Sequence, residues 1–399
     1  MDYIAIIISK LNGGGAERCA ANLSIELNKR FNVILVTFDG SNIKYPYDGK
    51  LIDLRIPKSN NFLSRIVNVI RRILKVHKIK KKYNVKVSIS FLDGPNLVNA
   101  LSRYKEKNIV SIRNMLSSEP MNFLRKRIIK LSSYITDKTV CLSRMVYQDM
   151  NENFDIPLDK LCVIYNHVDR YVLEQQSLNN ITPCVLDDNN FYIVTMGRLT
   201  VQKGQWHLIR AFKKISKVFP NVYLIIIGEG ELKSKLKDLA INLGLSDRII
   251  FTGYIDSPHY LLDYAEVFVF PSIYEGLGNV LLEALSFNLP VVSTDCVAGP
   301  REILAPELDL SIRIDDIYYG EYGVLVPPLD YNNFESITDL TYTENLFADA
   351  VIELIENQNL RKRYVKNSSR VIEKFSKENI IKEWEILIKS LQNEGDYDD

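Results

Sequence analysis

The chain has 399 residues, 46% of them hydrophobic and 25% charged, with 50 Lys+Arg against 49 Asp+Glu. That length and balance suit two globular domains with ample cores, and they exclude a disordered chain or a small cross-linked module. Five scattered cysteines, Cys19, Cys141, Cys162, Cys184 and Cys296, never fall in CxxC spacing, which suggests neither a disulfide framework nor a zinc site and fits a reducing cytoplasm.

The neutral total hides a split. Residues 1–180 carry 29 Lys+Arg and 16 Asp+Glu, a net of +13, which leaves 21 and 33, a net of −12, for residues 181–399. A basic half can meet nucleic acid, an anionic membrane surface or a phosphorylated substrate.

In chain order, Tyr3–Ser9 reads as a first strand and not a signal peptide, because MDYIAIIISK has an early acid and no cleavage pattern. No segment reaches the roughly 18 uncharged apolar residues of a membrane span. Gly13-Gly14-Gly15 then leads into a helix to about Lys29, an anion-friendly turn whose spacing is not GxGxxG. Asp39, after the strand Phe31–Thr37, is only loosely like the acid of a dinucleotide fingerprint.

Strands follow at Leu51–Ile56, Val87–Phe91, Asn108–Ile112, Thr139–Leu142 and Leu161–Tyr165, with helices near 61–83, 95–102, 119–133 and 143–151. This alternation predicts a doubly wound parallel sheet. Between Asp53 and Asp93 there is no acid. Arg65, Arg71, Arg72, Lys75, Lys78, Lys80, Lys81, Lys82 and Lys86 supply nine positive charges there, with Phe62, Ile66, Val69, Ile70, Ile73 and Leu74 at helical spacing. Such a basic amphipathic helix can lie on an anionic leaflet, or its apolar stripe can pack on the sheet with the charges merely solvated. Aromatic residues are not interleaved with the charges, which argues against nucleic acid.

The polar stretch 166–190 has linker composition, and the βα pattern then restarts. Strands are predicted at Phe191–Met196, Val222–Ile227, Ile249–Phe251, Val267–Phe270, Val291–Thr294 and Gly323–Val326. Helices fall at Gln205–Val218, Glu231–Asn242, His259–Tyr264 and Asn279–Ser286, then from Thr343 to about Leu391. The domain limits are therefore 1–170, a linker 171–190, a second domain 191–375, a C-terminal helix 376–392 able to cross back to the first domain, and an acidic tail 393–399 expected to be disordered.

In a doubly wound sheet, ligands bind outside the carboxyl ends of the strands. Glu275 follows the strand Val267–Phe270, and Gly276 and Gly278 lead to a helix start at Asn279 that favours an anion. Glu283 stands in the second turn of that helix. Backbone N–H groups for a diphosphate and carboxylates for hydroxyls suit a nucleotide sugar, although an ordinary loop acid and a solvated helix acid would show the same spacing. Arg198 and Lys203 flank the loop after Phe191–Met196 and converge on the same edge, as a leaving diphosphate requires. Gly228-Glu229-Gly230 and Thr252-Gly253-Tyr254 are strand-end turns where a flat base can rest. A hydrolytic carboxylate pair is set aside, because the cations would have nothing to do in hydrolysis of a neutral glycoside.

The set GGGAER (13–18), GRLTVQKG (197–204), IIGEGEL (226–232), FTGY (251–254), PSIYEGLGNVLLEAL (271–285) and NLPVVSTD (288–295) resembles the retaining glycosyltransferases of family 4, with the GT-B fold. The likeness covers nearly the whole chain. It implies two Rossmann-like domains facing across a cleft, the acceptor held by the first and the donor by the second. By motif match, Arg198 and Lys203 would stabilise the departing diphosphate, Glu275 would lie beside the transferred sugar, and Glu283 would hold ribose hydroxyls. Gly276, Leu277, Gly278 and Asn279 would touch sugar or phosphate, Glu229 and Tyr254 would border the base, and Gly14 and Gly15 would close over the phosphates. The resemblance implies retention by front-face attack, with no metal and no cofactor beyond a UDP-sugar donor.

Some positions depart from the pattern. Many family members place a His after the fifth strand, where this chain has Arg113-Asn114. Arg113, Asn114, His167 near the hinge and Arg301 in the GPRE segment are candidate acceptor contacts, each of which also has a structural reading. His77, His207 and His259 read as surface or packing residues. The similarity implies transfer of a hexose or N-acetylhexosamine to a lipid-linked, polyprenyl-diphosphate glycan in O-antigen or capsule-type assembly, and GPRE inclines towards galactose or N-acetylgalactosamine. The enzyme would sit in the cytoplasm, peripheral on the inner membrane face through residues 61–86. Two other readings are an NAD-dependent oxidoreductase using Gly13–Gly15, and a sugar-nucleotide-binding protein without catalysis.

Overall fold

The computed structural model describes residues 2–59, 61–118, 121–177, 186–187, 189–296, 298–330 and 339–393. The chain forms two compact units, one from the residues up to Asn166 together with those from Glu378 onward, the other His167–Lys377. Most of the expected acidic tail lies outside the described residues, as does much of the polar stretch after residue 177.

Unit 1 is a seven-stranded sheet, β1 (Tyr3–Ile8), β2 (Asn32–Thr37), β3 (Lys50–Asp53), β4 (Val87–Phe91), β5 (Lys107–Ile112), β6 (Lys138–Cys141) and β7 (Leu161–Val163), in the order β3-β2-β1-β4-β5-β6-β7. All pairings are parallel, as crossover helices require. Those helices are α1 (Gly15–Asn28), α2 (Phe62–Lys82), α3 (Asp93–Leu101), α4 (Phe123–Ile135) and α5 (Arg144–Glu152). Alternation along β1 sends Ile4, Ile6 and Ile8 into one core cluster and Ala5 and Ile7 into another, so the sheet is covered on both faces.

Unit 2 repeats the plan. It opens with α6 (Arg170–Ser177), a helix where the sequence reads as linker, because Tyr171, Val172 and Leu173 are too few apolar residues to give a periodic signal. Its sheet contains β8 (Phe191–Met196), β9 (Val222–Ile227), β10 (Ile249–Gly253), β11 (Val267–Phe270), β12 (Val291–Thr294), β13 (Tyr318–Tyr319) and β14 (Val324–Val326), in the order β10-β9-β8-β11-β12-β14-β13. Among the described residues, only β13 pairs antiparallel. The helices are α7 (Gln205–Val218), α8 (Lys233–Asn242), α9 (Asn279–Ser286), α10 (Pro300–Leu304), α11 (Tyr342–Glu356) and α12 (Gln358–Lys374). His259 lies in a 3-10 turn, Pro258–Leu262, and not in the expected α-helix.

The last helix, α13 (Lys377–Asn393), buries Ile380, Ile381, Trp384, Ile388 and Leu391 in the core of unit 1. The Val168 N–H donates to the Phe375 carbonyl and Lys377 pairs with Asp169 at 2.6 Å, so the two stretches of chain that leave unit 2 run side by side. Among the described residues, no helix is long and apolar enough to cross a membrane.

The basic helix α2 is only partly what its spacing suggests. Lys80 is fully buried and pairs with buried Glu106 at 2.6 Å, beside Asn99; burial pulls its amine down to about 8 despite the carboxylate. Arg72 and Lys75 are tied to the Ile56 and Leu54 carbonyls. Val76 is buried and Val69 and Ile73 are half-buried, while Phe62, Leu63, Ile66, Val67, Ile70 and Leu74 face solvent.

Candidate functional site

The carboxyl ends of β8 and β11 are neighbours in the sheet, and their loops are stitched together. The Ile273 N–H donates to the Gln202 carbonyl at 2.8 Å, and Gln202 Nε2 donates to the Tyr274 carbonyl at 3.0 Å. Gly204 has φ +59, and a side chain there would run into the Pro271 carbonyl. Only glycine allows that approach.

This contact brings Lys203 onto Glu275. The ammonium pairs directly with the Glu275 carboxylate and lies 5.2 Å from the centre of the Phe270 ring. Both side chains are largely buried, with 16% of Lys203 and 9% of Glu275 exposed. Arg198, two residues past β8, is exposed. The Glu275 carboxylate also adds to the burial that raises the neighbouring Cys296 thiol far above its usual range.

Gly278, φ +85, turns the chain into α9, so that Gly276, Leu277, Gly278 and Asn279 sit at the helix N-terminus. Its first backbone N–H groups and dipole favour an anion there. Glu283, in the second turn, is buried, and its carboxylate meets His259 Nε2 at 3.1 Å. His259 in turn stacks on Phe287. His259 is thus a packing residue that also holds one of the two glutamates, which a lone histidine in a sequence does not signal.

Glu229, at the end of β9, pairs with Lys233 and lies against Gly253 at the end of β10. Tyr254 follows, exposed, with its hydroxyl 3.0 Å from Asp256. Arg301 is enclosed: its guanidinium pairs with Asp295 and donates to the Asp309 and Ile312 carbonyls. That ties residues 309–312 to the end of β12 through Arg301. His167 is half-buried beside Asp169, whose carboxyl stays below its usual range because hydrogen bonds and charge from Lys377 outweigh burial.

In unit 1, Gly14 caps α1, with the carboxylate of Glu17 folded over it. Arg113 is buried between Ser111, Cys19 and Asn166, 5.5 Å from the Phe91 ring. Asn114 is exposed. Both line a cavity of about 270 Å³ whose walls also include Asp93 and Arg125. Asp93 stands just after a predicted strand end, where ligands are expected.

Residues 13–171 match the family described as Glycosyltransferase Family 4, and residues 180–310 match Glycosyl transferases group 1. An uncharacterized glycosyltransferase of Methanocaldococcus jannaschii is 34% identical over 91% of this chain and 93% of its own length. The chain is a family 4 glycosyltransferase. It therefore belongs to a retaining family, and the oxidoreductase and non-catalytic readings give way.

Among the relatives of this glycosyltransferase is a Campylobacter jejuni enzyme named N-acetylgalactosamine-N,N'-diacetylbacillosaminyl-diphospho-undecaprenol 4-alpha-N-acetylgalactosaminyltransferase. It is 28% identical over 96% of this chain and 98% of its own. The structure of Anabaena HepE, solved in complex with UDP, superposes with a TM-score of 0.74 at 17% identity, covering 98% of this chain and all of that one. That likeness establishes the GT-B fold.

Proposed function

We propose that this glycosyltransferase moves a hexose or N-acetylhexosamine, galactose or N-acetylgalactosamine foremost, from a UDP-sugar to a polyprenyl-diphosphate glycan in surface-polysaccharide assembly. The observation that carries the donor half is the buried Lys203–Glu275 pair beside Arg198 and the N-terminus of α9. Two cations and a ring of backbone donors suit a departing diphosphate, and Glu275 suits the hydroxyls of the sugar. Glu229 and Tyr254 would border the uracil, and unit 1 would hold the acceptor. In the reaction the bond from C1 to the donor phosphate breaks, the bond from C1 to the acceptor oxygen forms on the same face, and the acceptor proton passes to the phosphate oxygen. The name of the Campylobacter relative, with its diphospho-undecaprenol acceptor, supports the acceptor half.

The purified chain, given a panel of UDP-, GDP- and ADP-sugars with a polyprenyl-diphosphate disaccharide, should release UDP from one UDP-sugar and form an α-glycoside from an α-donor. Consumption of GDP- or ADP-sugars alone, or an inverted product, would overturn the assignment.

The same reading places the enzyme peripherally on the inner membrane face through α2. Its solvent-facing stripe, Phe62, Leu63, Ile66, Val67, Ile70 and Leu74, is bordered by Arg71, Lys78 and Lys82. Each basic residue near an anionic surface contributes about 1 kcal/mol. Replacing these three by Ser should therefore weaken sedimentation with phosphatidylglycerol vesicles roughly a hundredfold at low salt. Unchanged binding would remove the membrane contact.

A further inference from the structure

We infer that the cavity at the carboxyl ends of β4 and β5 holds the diphosphate of the acceptor lipid, and that the outer face of α4 carries the first part of its prenyl chain. The inference rests on the lipid-linked acceptor proposed above and assigns that acceptor residues of this chain.

Four observations meet at this point in unit 1. The cavity, about 270 Å³, is lined by two arginines, Arg113 and Arg125, with one carboxylate, Asp93, and the Asn114 amide. It is the size for a diphosphate or a single sugar and too small for a nucleotide sugar. Leu92 in its wall has φ +75 and ψ 154, a region almost reserved for glycine. Strain of that kind persists where the surroundings enforce it and gathers at ligand sites. The next glycine, Gly94, has open space where a side chain would stand, so a ligand can approach the first turn of α3 closely.

The third observation is the Arg125–Asp93 pair, at 2.8 Å with about a third of each side chain exposed. A guanidinium at a cavity rim offers a planar fork matched to phosphate. A carboxylate that holds the fork in place while the cavity is empty must compete with an arriving anion. The fourth is the helix that carries Arg125. Phe123 and Leu124, within one turn of it, are 70% and 61% exposed, and Leu131 and Tyr134 continue the same face of α4. Arg127 stacks 4.3 Å from the Phe123 ring within that stripe.

Isolated apolar side chains on a surface need no explanation, but a helical stripe of four rimmed by cations does. A prenyl diphosphate has this sequence of chemistry, an apolar chain and then two adjacent phosphates. Arg125 follows Phe123 and Leu124 directly in α4, about 3 Å or less along the helix axis.

The test is binding of three probes to the full chain carrying Arg198→Ala, Lys203→Met and Glu275→Gln, so that donor-side cations do not contribute. The probes are inorganic pyrophosphate, phosphatidylcholine vesicles containing undecaprenyl diphosphate, and the same vesicles without it. Arg125→Gln should weaken both diphosphate probes at least about tenfold. Asp93→Asn should tighten pyrophosphate, since it removes the competing charge. Phe123→Ser with Leu124→Ser should leave pyrophosphate unchanged and weaken the lipid-bearing vesicles at least about tenfold. A partly exposed pair contributes little to stability, so these variants fold. If Asp93→Asn weakened pyrophosphate as Arg125→Gln does, the pair would be structural only and the inference would fall. Transfer to lipid acceptors with an unaltered acceptor KM in Arg125→Gln would also overturn it while leaving the proposed function standing. The expected binding pattern without any transfer to lipid acceptors would do the reverse.

Discussion

Lys203→Met is expected to lower sugar transfer by at least about a hundredfold and, in the same protein, to lower Tm by roughly 10 °C. The two effects have different causes. A cation aimed at charge that develops on a leaving group is worth about 10²–10³ in rate. The stability loss comes from Glu275, which is buried and pairs with Lys203. Removing one partner of a buried pair leaves the other uncompensated, at a cost of about 3–5 kcal/mol, and each kcal/mol moves Tm by about 2–4 °C in a unit of this size.

The paired change Lys203→Met with Glu275→Gln separates the causes. It removes both charges while keeping similar volumes, so Tm should return to near the starting value. On the proposed roles transfer should stay at the floor, because neither the cation meant for the diphosphate nor the carboxylate meant for the sugar is restored. The measurements are a thermal melt and a UDP-release assay on the two single variants and the double. A double variant that regained transfer would show the pair to be a strut and not part of the chemistry.

The two sheets were legible because βα units print their period directly. Val267–Phe270, Asn279–Ser286 and Val291–Thr294 fall where their apolar runs and glycine turns put them. The charge run 65–86 was less legible. Whether a lysine in it is solvated depends on what faces it, and Glu106, which neutralises Lys80, arrives from the far end of another crossover. The stripe on α2 divided for a related reason. Val69, Ile73, Val76 and Ile79 turn inward, while Phe62, Leu63, Ile66, Val67, Ile70 and Leu74 are left in water. Spacing picks out the candidate residues of unit 2 but not their partners. His259 on Glu283 and Gln202 on Tyr274 are contacts between loops distant in sequence, which no local pattern records.

The same limit applies to His207, which the sequence leaves as a surface or packing residue and the structure buries in an electrostatic knot of unit 2. Its Nδ1 lies 2.7 Å from Glu344 Oε1 and its Nε2 2.9 Å from the Asp330 carbonyl. Arg210 donates to both carboxylate oxygens of Glu344, at 2.7 and 3.0 Å. The Thr341 N–H completes a capping box at the start of α11. Burial alone would raise the Glu344 pKa, but the bonds from His207, Arg210 and the backbone overcome it and bring it to about 2. A carboxyl depressed from its ordinary 4.5 contributes stability that is complete above that value and is lost as pH falls towards about 2. The shift corresponds to about 3 kcal/mol. Melts of the wild type and Glu344→Gln at successive pH values should therefore differ most near neutrality and converge in acid, with the variant losing about 3–5 kcal/mol at pH 7 because the buried Arg210 charge loses its carboxylate. Parallel curves would refute the assignment of the acid-sensitive stability to Glu344. The consequence reaches the site, because α7, which bears both His207 and Arg210, begins two residues after Lys203. The clamp that fixes α7 against α11 also fixes the loop from which Lys203 meets Glu275, so transfer should decline together with the Glu344 contribution on the acid side.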